Sequence, residues 1–280
     1  MTARTARVLV SVFAGVHCLA CRARLPAGSI EGDSSPQVVP SSALLPSAIA
    51  SVAPSGSIAP SMARCPAGMA AIPAGTFQFR VNRKATVVNE FCMDITEVTV
   101  AAYVACVNAG ACSSKGLNRV GSIAPFTTPL CNWGSGRNDH PINCVSWYQT
   151  VAYCKYADKR VPTEAEWEYA ASGGDGRSYP WGETTPTDQL CWDGAGNTLG
   201  KGKRGGNTCP VGSFPAGRSV FGLDDMAGGV WEWTSGKMGI QRIIRGGGAT
   251  TPIAPWVTTT MRTASFETEN GNDIGVRCAR

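Results

Sequence analysis

Cysteine dominates the chemistry this chain could do. Its 280 residues include twelve cysteines and only two histidines. Thiols hold zinc or copper, act as nucleophiles, or oxidise in pairs to disulfides. Zinc ribbons need tight Cys-x-x-Cys pairs, and none occurs beyond Cys21, where His140 is also the sole histidine. His140 beside Asp139, with serines nearby, invites a hydrolase reading. No Gly-x-Ser-x-Gly elbow supports it. Gly246-Gly247-Gly248 follows a strand pattern but opens no helix, so it reads as a close-packed turn and not a phosphate loop. Glu232, set between Trp231 and Trp233, reads as a buried hydrogen-bonding carboxylate, because an unpaired one there would be costly.

These residues need elements to position them, and the clearest element is a helix. Thr163 can cap it, with Glu166 three residues on to complete a capping box. Pro162 makes its start abrupt, and Glu164, Glu166 and Glu168 suit the positive end of its dipole. Ser172-Gly173-Gly174 ends it, and Tyr179-Pro180-Trp181-Gly182 forms an aromatic turn. Upstream, Thr76–Arg80 alternates as a strand after the turn at Pro73-Ala74-Gly75, and Ala85–Met93 reads as a second strand. Thr96–Asn108 and Ser146–Ala157 have helical spacing. Residues 116–139 and 179–221 read as long loops. Gly222–Thr234 ends in a strand with Trp231 and Trp233 on one face and Glu232 on the other. Gln241–Arg245 and Gly271–Ala279 read as further strands. Propensity alone gives an α+β fold.

Composition narrows the class. Thirty-three glycines and eight tryptophans suit a loop-rich domain built on aromatic anchors. The formal charge is +5; setting aside four arginines and two acidic residues in the N-terminal 63 leaves +3. That is too small and scattered for a nucleic-acid surface. Residues 1–21 have the form of an export signal. Arg4 and Arg7 precede the short apolar run Val8–Val16. Cys18-Leu19-Ala20-Cys21 is similar to a bacterial lipobox, although Cys18 stands where Leu is usual. Lipidation of Cys21 would put the protein on a membrane surface without spanning it. The alternative is ordinary cleavage near Ala20 or Ala23. Residues 22–63, rich in Ser, Pro and Ala, read as a disordered tether, and the globular domain is expected over 64–280. With export, its ten cysteines read as a disulfide framework. Cys106 and Cys112 are close enough to pair, Cys191 and Cys209 could staple the second long loop, and Cys131 and Cys144 the segment before the second helix. Spacing does not fix the connectivity.

The wording of the motifs goes further. Arg160-Val161-Pro162-Thr163-Glu164-Ala165-Glu166-Trp167-Glu168, followed by Tyr179-Pro180-Trp181-Gly182, resembles the signature of the formylglycine-generating enzyme family, also called the sulfatase-modifying factor domain. Ile72–Phe77, Thr96–Thr99, His140–Trp147, Gly222–Thr234, Ile244–Gly248 and Gly275–Cys278 match in order. The resemblance implies a C-type-lectin-like, disulfide-stapled α+β fold and a bond from Cys154 to Cys278, which would leave Cys65 with Cys92. It also implies an oxidase that converts a substrate-protein cysteine to formylglycine with oxygen, using two copper(I)-binding thiols just after Arg-Gly-Gly. Soft thiolates select copper(I).

Here that stretch runs Arg245–Arg262, and no cysteine occurs between Pro210 and Arg277. A second family disulfide is missing as a unit, with Ala171 and Thr263 at its places. Copper is therefore not expected. The reading is a non-catalytic binding or structural module, anchored at a bacterial envelope, monomeric, with a protein or glycan partner and no nucleic acid. The alternative is a formylglycine-generating oxidase with an altered site. The family's calcium chemistry would fall here to Asn197 and Thr198 with Asp224 or Asp225, since Gly229 replaces an expected Asn; ordinary turn residues are the alternative. The ligand surface is placed at Thr250–Thr260 with Trp133, Trp192 and Trp256, core packing being the alternative for each tryptophan.

Overall fold

The computed structural model describes residues 65–118, 131–194 and 207–280. The export signal, Cys21 and the tether lie outside the described residues, as do Asn197 and Thr198. Two small antiparallel sheets open the domain. β1 (Met69–Ile72) pairs with β4 (Phe91–Asp94), and β2 (Gly75–Phe79) pairs with β3 (Lys84–Val88). The single strand expected over Ala85–Met93 is thus two strands. The exposed pair Asn89-Glu90 separates them, and each half answers to a different partner.

Three helices follow, each begun by a hydroxyl. α1 (Val100–Asn108) is capped by Thr99, whose side chain accepts from the Ala102 N–H. It starts four residues later than expected, because Val98 is committed to extended pairing. Its N–H donates to Val276 O, and its O accepts from Ile142 N. α2 (Trp147–Tyr156) has a Ser146–Gln149 capping box. α3 (Glu164–Ser172) has the Thr163–Glu166 box and stops at Gly173, whose φ of 69° favours glycine.

The main sheet has the order β7 (Arg262–Phe266), β6 (Gln241–Arg245), β5 (Trp231–Met238), β8 (Ile274–Gly275). β5 pairs antiparallel with β6 and parallel with β8. The start of β5 is buried on both faces: Trp231, Glu232 and Trp233 are all inside. The closing strand expected over Gly271–Ala279 shrinks to two residues. Beyond Gly275 the chain leaves β5 and serves other partners. Val276 O accepts from Val98 N, Cys278 O from Asp94 N, and Ala279 exchanges both bonds with Arg160. Arg280 does the same with Cys92.

One apolar cluster joins α1 and α2 to Trp231, Trp233, Ile244 and Val276. Another packs α3, through Trp167, Tyr169, Ala170 and Ala171, against Ile72, Phe77, Val88 and Phe91. Five disulfides tie the layers: Cys65–Cys92, Cys106–Cys112, Cys131–Cys144, Cys154–Cys278 and Cys191–Cys209. Among the described residues no helix is long and apolar enough to cross a membrane.

The Cys154–Cys278 bond joins α2 to the terminal segment across 124 residues, whereas Cys106–Cys112 spans six. Loop-closure entropy makes the longer link the more stabilising. Replacing both partners by Ala is expected to cost about 4–5 kcal/mol at Cys154–Cys278 and about 2 kcal/mol at Cys106–Cys112. Guanidinium unfolding of the two variants beside the parent checks this, and the reverse order would refute it.

Candidate functional site

The segment that follows Arg245 is held at both ends by α3. Arg245 is fully buried; its Nε donates to Glu164 Oε1 at 3.0 Å and its Nη2 to Glu168 Oε2 at 2.8 Å. Arg262, at the far end, donates from Nε and Nη2 to both oxygens of Glu164 at 2.7 and 3.0 Å. The capping helix therefore supplies two carboxylates that fix where the loop leaves the sheet and where it returns. Gly247, at φ 76°, is required by this path, because a Cβ there would meet the Trp256 carbonyl at 2.7 Å.

Inside this frame the threonines are structural. Thr251 Oγ1 accepts from Gly248 N at 2.9 Å, and Thr259 Oγ1 donates to Arg177 O at 2.7 Å. Thr251, Val257 and Thr259 are buried. Over Thr250–Thr260, where the ligand surface is expected, these three are interior, while Ile253 and Trp256 stand exposed and the remaining threonines are half-buried. Trp192 is buried with Leu190, Ala227 and Val257, and its indole N–H donates to Thr187 O at 3.1 Å. Trp133 is half-buried, edge-on to Tyr103. The three tryptophans do not form one surface.

Copper(I) finds no fitting donors here. Every cysteine among the described residues is in a disulfide. The loop offers hydroxyls already hydrogen-bonded to backbone and, at its end, the thioether of Met261. Where the family's second disulfide was expected, Ala171 is packed in the core, and Thr263 lies on β7 opposite Ile244.

A second polar centre lies beneath the sheet. Glu232 accepts from Arg277 Nε at 2.9 and 3.0 Å and from the Trp167 indole at 2.6 Å. Arg277, also fully buried, donates its remaining N–H groups to the carbonyls of Asp94, Ile95 and Asp224. Beside this pair sits Glu97, whose Oε1 accepts from Val230 N at 2.9 Å. Burial pushes the Glu97 carboxyl well above its usual range, and the neighbouring Asp225 and Glu232 push it further. Asp225 is also raised by burial. Gly229 stands against this carboxylate, and a Cβ there would collide with it. An Asn at 229 has no room while Glu97 keeps its place.

The candidate calcium carboxylates Asp224 and Asp225 both have partners within the protein. Asp224 is paired with Arg218, Nε to Oδ1 at 2.7 Å and Nη2 to Oδ2 at 2.8 Å. Asp225 Oδ2 accepts from Gly212 N at 2.6 Å. Among the described residues no group of three His, Cys, Asp or Glu side chains could hold a metal ion. Asp193 Oδ1 is buried without a hydrogen-bond partner among them. His140 Nδ1 lies 2.8 Å from Thr208 Oγ1, which also accepts from Asn132 Nδ2. Burial lowers the His140 pKa, and the hydroxyl beside it belongs to a packed knot, not to a nucleophile elbow.

Glu97 and Arg277 escaped sequence reasoning as a site. Both stand inside motifs that could be read, Thr96–Thr99 and Gly275–Cys278, but nothing local says that residues 97, 225, 232 and 277 meet.

Comparison with known proteins gives this geometry a context. The profile of the sulfatase-modifying factor enzyme 1-like domain matches residues 55–280. The formylglycine-generating enzyme of Mus musculus is 46% identical over 107 residues, covering 35% of this chain and 28% of that protein. The inactive C-alpha-formylglycine-generating enzyme 2 of Bos taurus is 36% identical over 169 residues, covering 52% of this chain and 53% of that protein. Both matches thus span little more than half, or less, of the relative's length. Among solved structures, PvdO from Pseudomonas aeruginosa superposes with a TM-score of 0.57 at 24% identity, covering 76% of this chain and 93% of that one. That likeness speaks for the fold alone.

Glu97 gives a pH signature. The folded protein holds its proton more tightly than the unfolded chain does. The stability tied to this group is therefore complete below the ordinary carboxylate range and is lost as pH climbs towards the raised value. Glu97→Gln keeps an acceptor for Val230 N but cannot ionise. Its stability relative to the parent is expected to improve between pH 4 and pH 8 in chemical denaturation. A difference that stays flat with pH would refute it.

Proposed function

The chain belongs to the sulfatase-modifying factor enzyme 1-like family, and we propose that within it the protein is a non-catalytic binding or structural module. One observation carries the reading: the stretch Arg245–Arg262 has no thiol, and the ten cysteines elsewhere in the domain are committed to disulfides. Copper(I) oxidation of a peptide cysteine needs soft, deprotonated sulfur ligands at the reacting centre. Threonine hydroxyls hydrogen-bonded to Gly248 and Arg177 supply none. The similarity to a bovine protein called inactive supports the same direction. What remains is a rigid scaffold with long loops.

The place of work we propose is beyond the cytoplasm, on a membrane surface of a bacterial envelope or in the periplasmic or extracellular space. Five disulfides suit an oxidising compartment. The Arg4/Arg7 start, the apolar run Val8–Val16 and the lipobox-like Cys21 supply an export and anchoring device. Cys21→Ser is expected to move the protein from the membrane fraction to the soluble one when expressed in a bacterium. Retention in the membrane fraction would end the anchoring proposal.

The activity test is mass spectrometry of a cysteine-containing sulfatase peptide, incubated with the purified protein, copper(I), oxygen and reductant, beside an active formylglycine-generating enzyme. The peptide is expected to stay unmodified while the control converts it. Alkylation before and after reduction adds a count. The ten domain cysteines are expected to label only after reduction. Conversion of the peptide would overturn the module reading.

A further inference from the structure

The β2–β3 turn reads Arg80-Val81-Asn82-Arg83-Lys84, three cations in five residues. It faces the glycine-rich turn that ends α3. Between them lies a cleft of about 460 Å³, lined by Gln78, Arg80, Arg83, Gly174, Asp175 and Gly176. A second cleft, of about 390 Å³, shares Asp175 and Gly176 and extends past Arg177 to Gly182 and Glu183. The two clefts meet at Asp175 and Gly176 in one groove lined by charged residues, Gln78 and glycine backbone.

The charges of this groove are not equally free. Arg177 Nε and Nη2 bind both oxygens of Asp175. Glu183 accepts from Ser178 N at 2.8 Å and Ser178 Oγ at 2.6 Å. Both carboxylates are thus satisfied within their own turn. Arg80, by contrast, spends only Nη2, on Gly176 O at 3.1 Å. The Arg83 guanidinium and the Lys84 ammonium make no hydrogen bond or ion pair among the described residues, and both are exposed. Two guanidinium forks therefore stand at one cleft with donors unspent. Such forks match carboxylate and sulfate oxygens two at a time.

We propose that this groove binds an acidic oligosaccharide, with Arg80 and Arg83 clasping a sulfate or carboxylate group of the sugar. The walls favour a saccharide over a peptide. None of the lining side chains is apolar, so there is no pocket for the aromatic or aliphatic anchors that carry peptide affinity. Gln78 and the glycine backbone offer hydrogen bonds suited to hydroxyls instead. Gly182, which lines the second cleft, closes the Tyr179–Gly182 turn, where Tyr179 and Trp181 stack at 5.2 Å. This inference rests on the module reading and names the ligand class for it.

Isothermal titration of the whole chain tests it, with four probes: a sulfated hexasaccharide, an oligogalacturonate, a neutral maltohexaose and a hexaglutamate peptide. Inorganic sulfate serves as the small-anion arm. The two acidic saccharides are expected to bind, and their relative affinities say whether sulfate or carboxylate is preferred. Arg80→Gln with Arg83→Gln is expected to weaken binding at least tenfold, while Lys155→Gln, on a different surface, changes it less than twofold. Both arginines are exposed, so circular dichroism of the double variant is expected to match the parent. Any of four results would overturn the proposal: binding of maltohexaose as tight as the acidic sugars, hexaglutamate as tight as the sulfated sugar, no loss in the double variant, or an equal loss in Lys155→Gln. Failure of every saccharide would remove the groove but leave the module; peptide turnover would remove the module whatever the titration gives.

Discussion

A buried ion pair, Glu232 with Arg277, is the constraint around which the domain closes. Taking two charges out of water costs several kcal/mol each, and attraction compensates only if the remaining donors and acceptors are met. Here they are. The Trp167 indole meets the second carboxylate oxygen, and three backbone carbonyls meet the guanidinium. Meeting them brings β5, α3, the segment after β4, the Asp224 turn and the chain terminus to one point. Displacing any of these elements leaves at least one buried hydrogen bond of the pair unmade. The pair is better understood as specifying the arrangement than as adding net stability.

A parallel network does the same for the loop beyond β6. Glu164 and Glu168 emerge from the first turns of α3 because a capping box places that helix start exactly once in space. Their carboxylates then fix Arg245 and Arg262, and so the two ends of the loop. Within it, Gly246 and Gly247 adopt left-handed backbone that lets the chain fold tightly onto Trp256 and Val257. The frame around the loop is thus set by arginines and carboxylates, while inside it the hydroxyls of Thr251 and Thr259 are engaged with the backbone.

Local physics in the sequence carried the helices far. The Thr163–Glu166 capping box read from the sequence is present in the structure, where a second box, Ser146 with Gln149, begins α2. The family and its α+β fold were legible from the ordered motifs, because several short matches in order leave few alternatives. Strand limits were less legible. Ala85–Met93 has a continuous β-pattern, but the break at Asn89-Glu90 is set by which partner each half finds, which no local pattern records. The tryptophans divide between the two readings the sequence allows: the loop folds over Trp192, which packs inside, whereas Trp256 stays exposed. Glu97, Asp225, Glu232 and Arg277 are far apart in sequence, and their meeting is a product of topology alone.

The contacts of residues 276–280 bear on the order in which the fold can form. Val276, Cys278, Ala279 and Arg280 pair with residues near 92–98 and 160, and Arg277 completes the central ion pair. The backbone pairings among these join positions separated by more than a hundred residues. Pairings of that range form late, because the loop must be closed before any contact rewards it. Until residues 276–280 dock, Glu232 in β5 has no cation to meet it, so the core closes only together with that segment. Its docking is the latch on the whole arrangement.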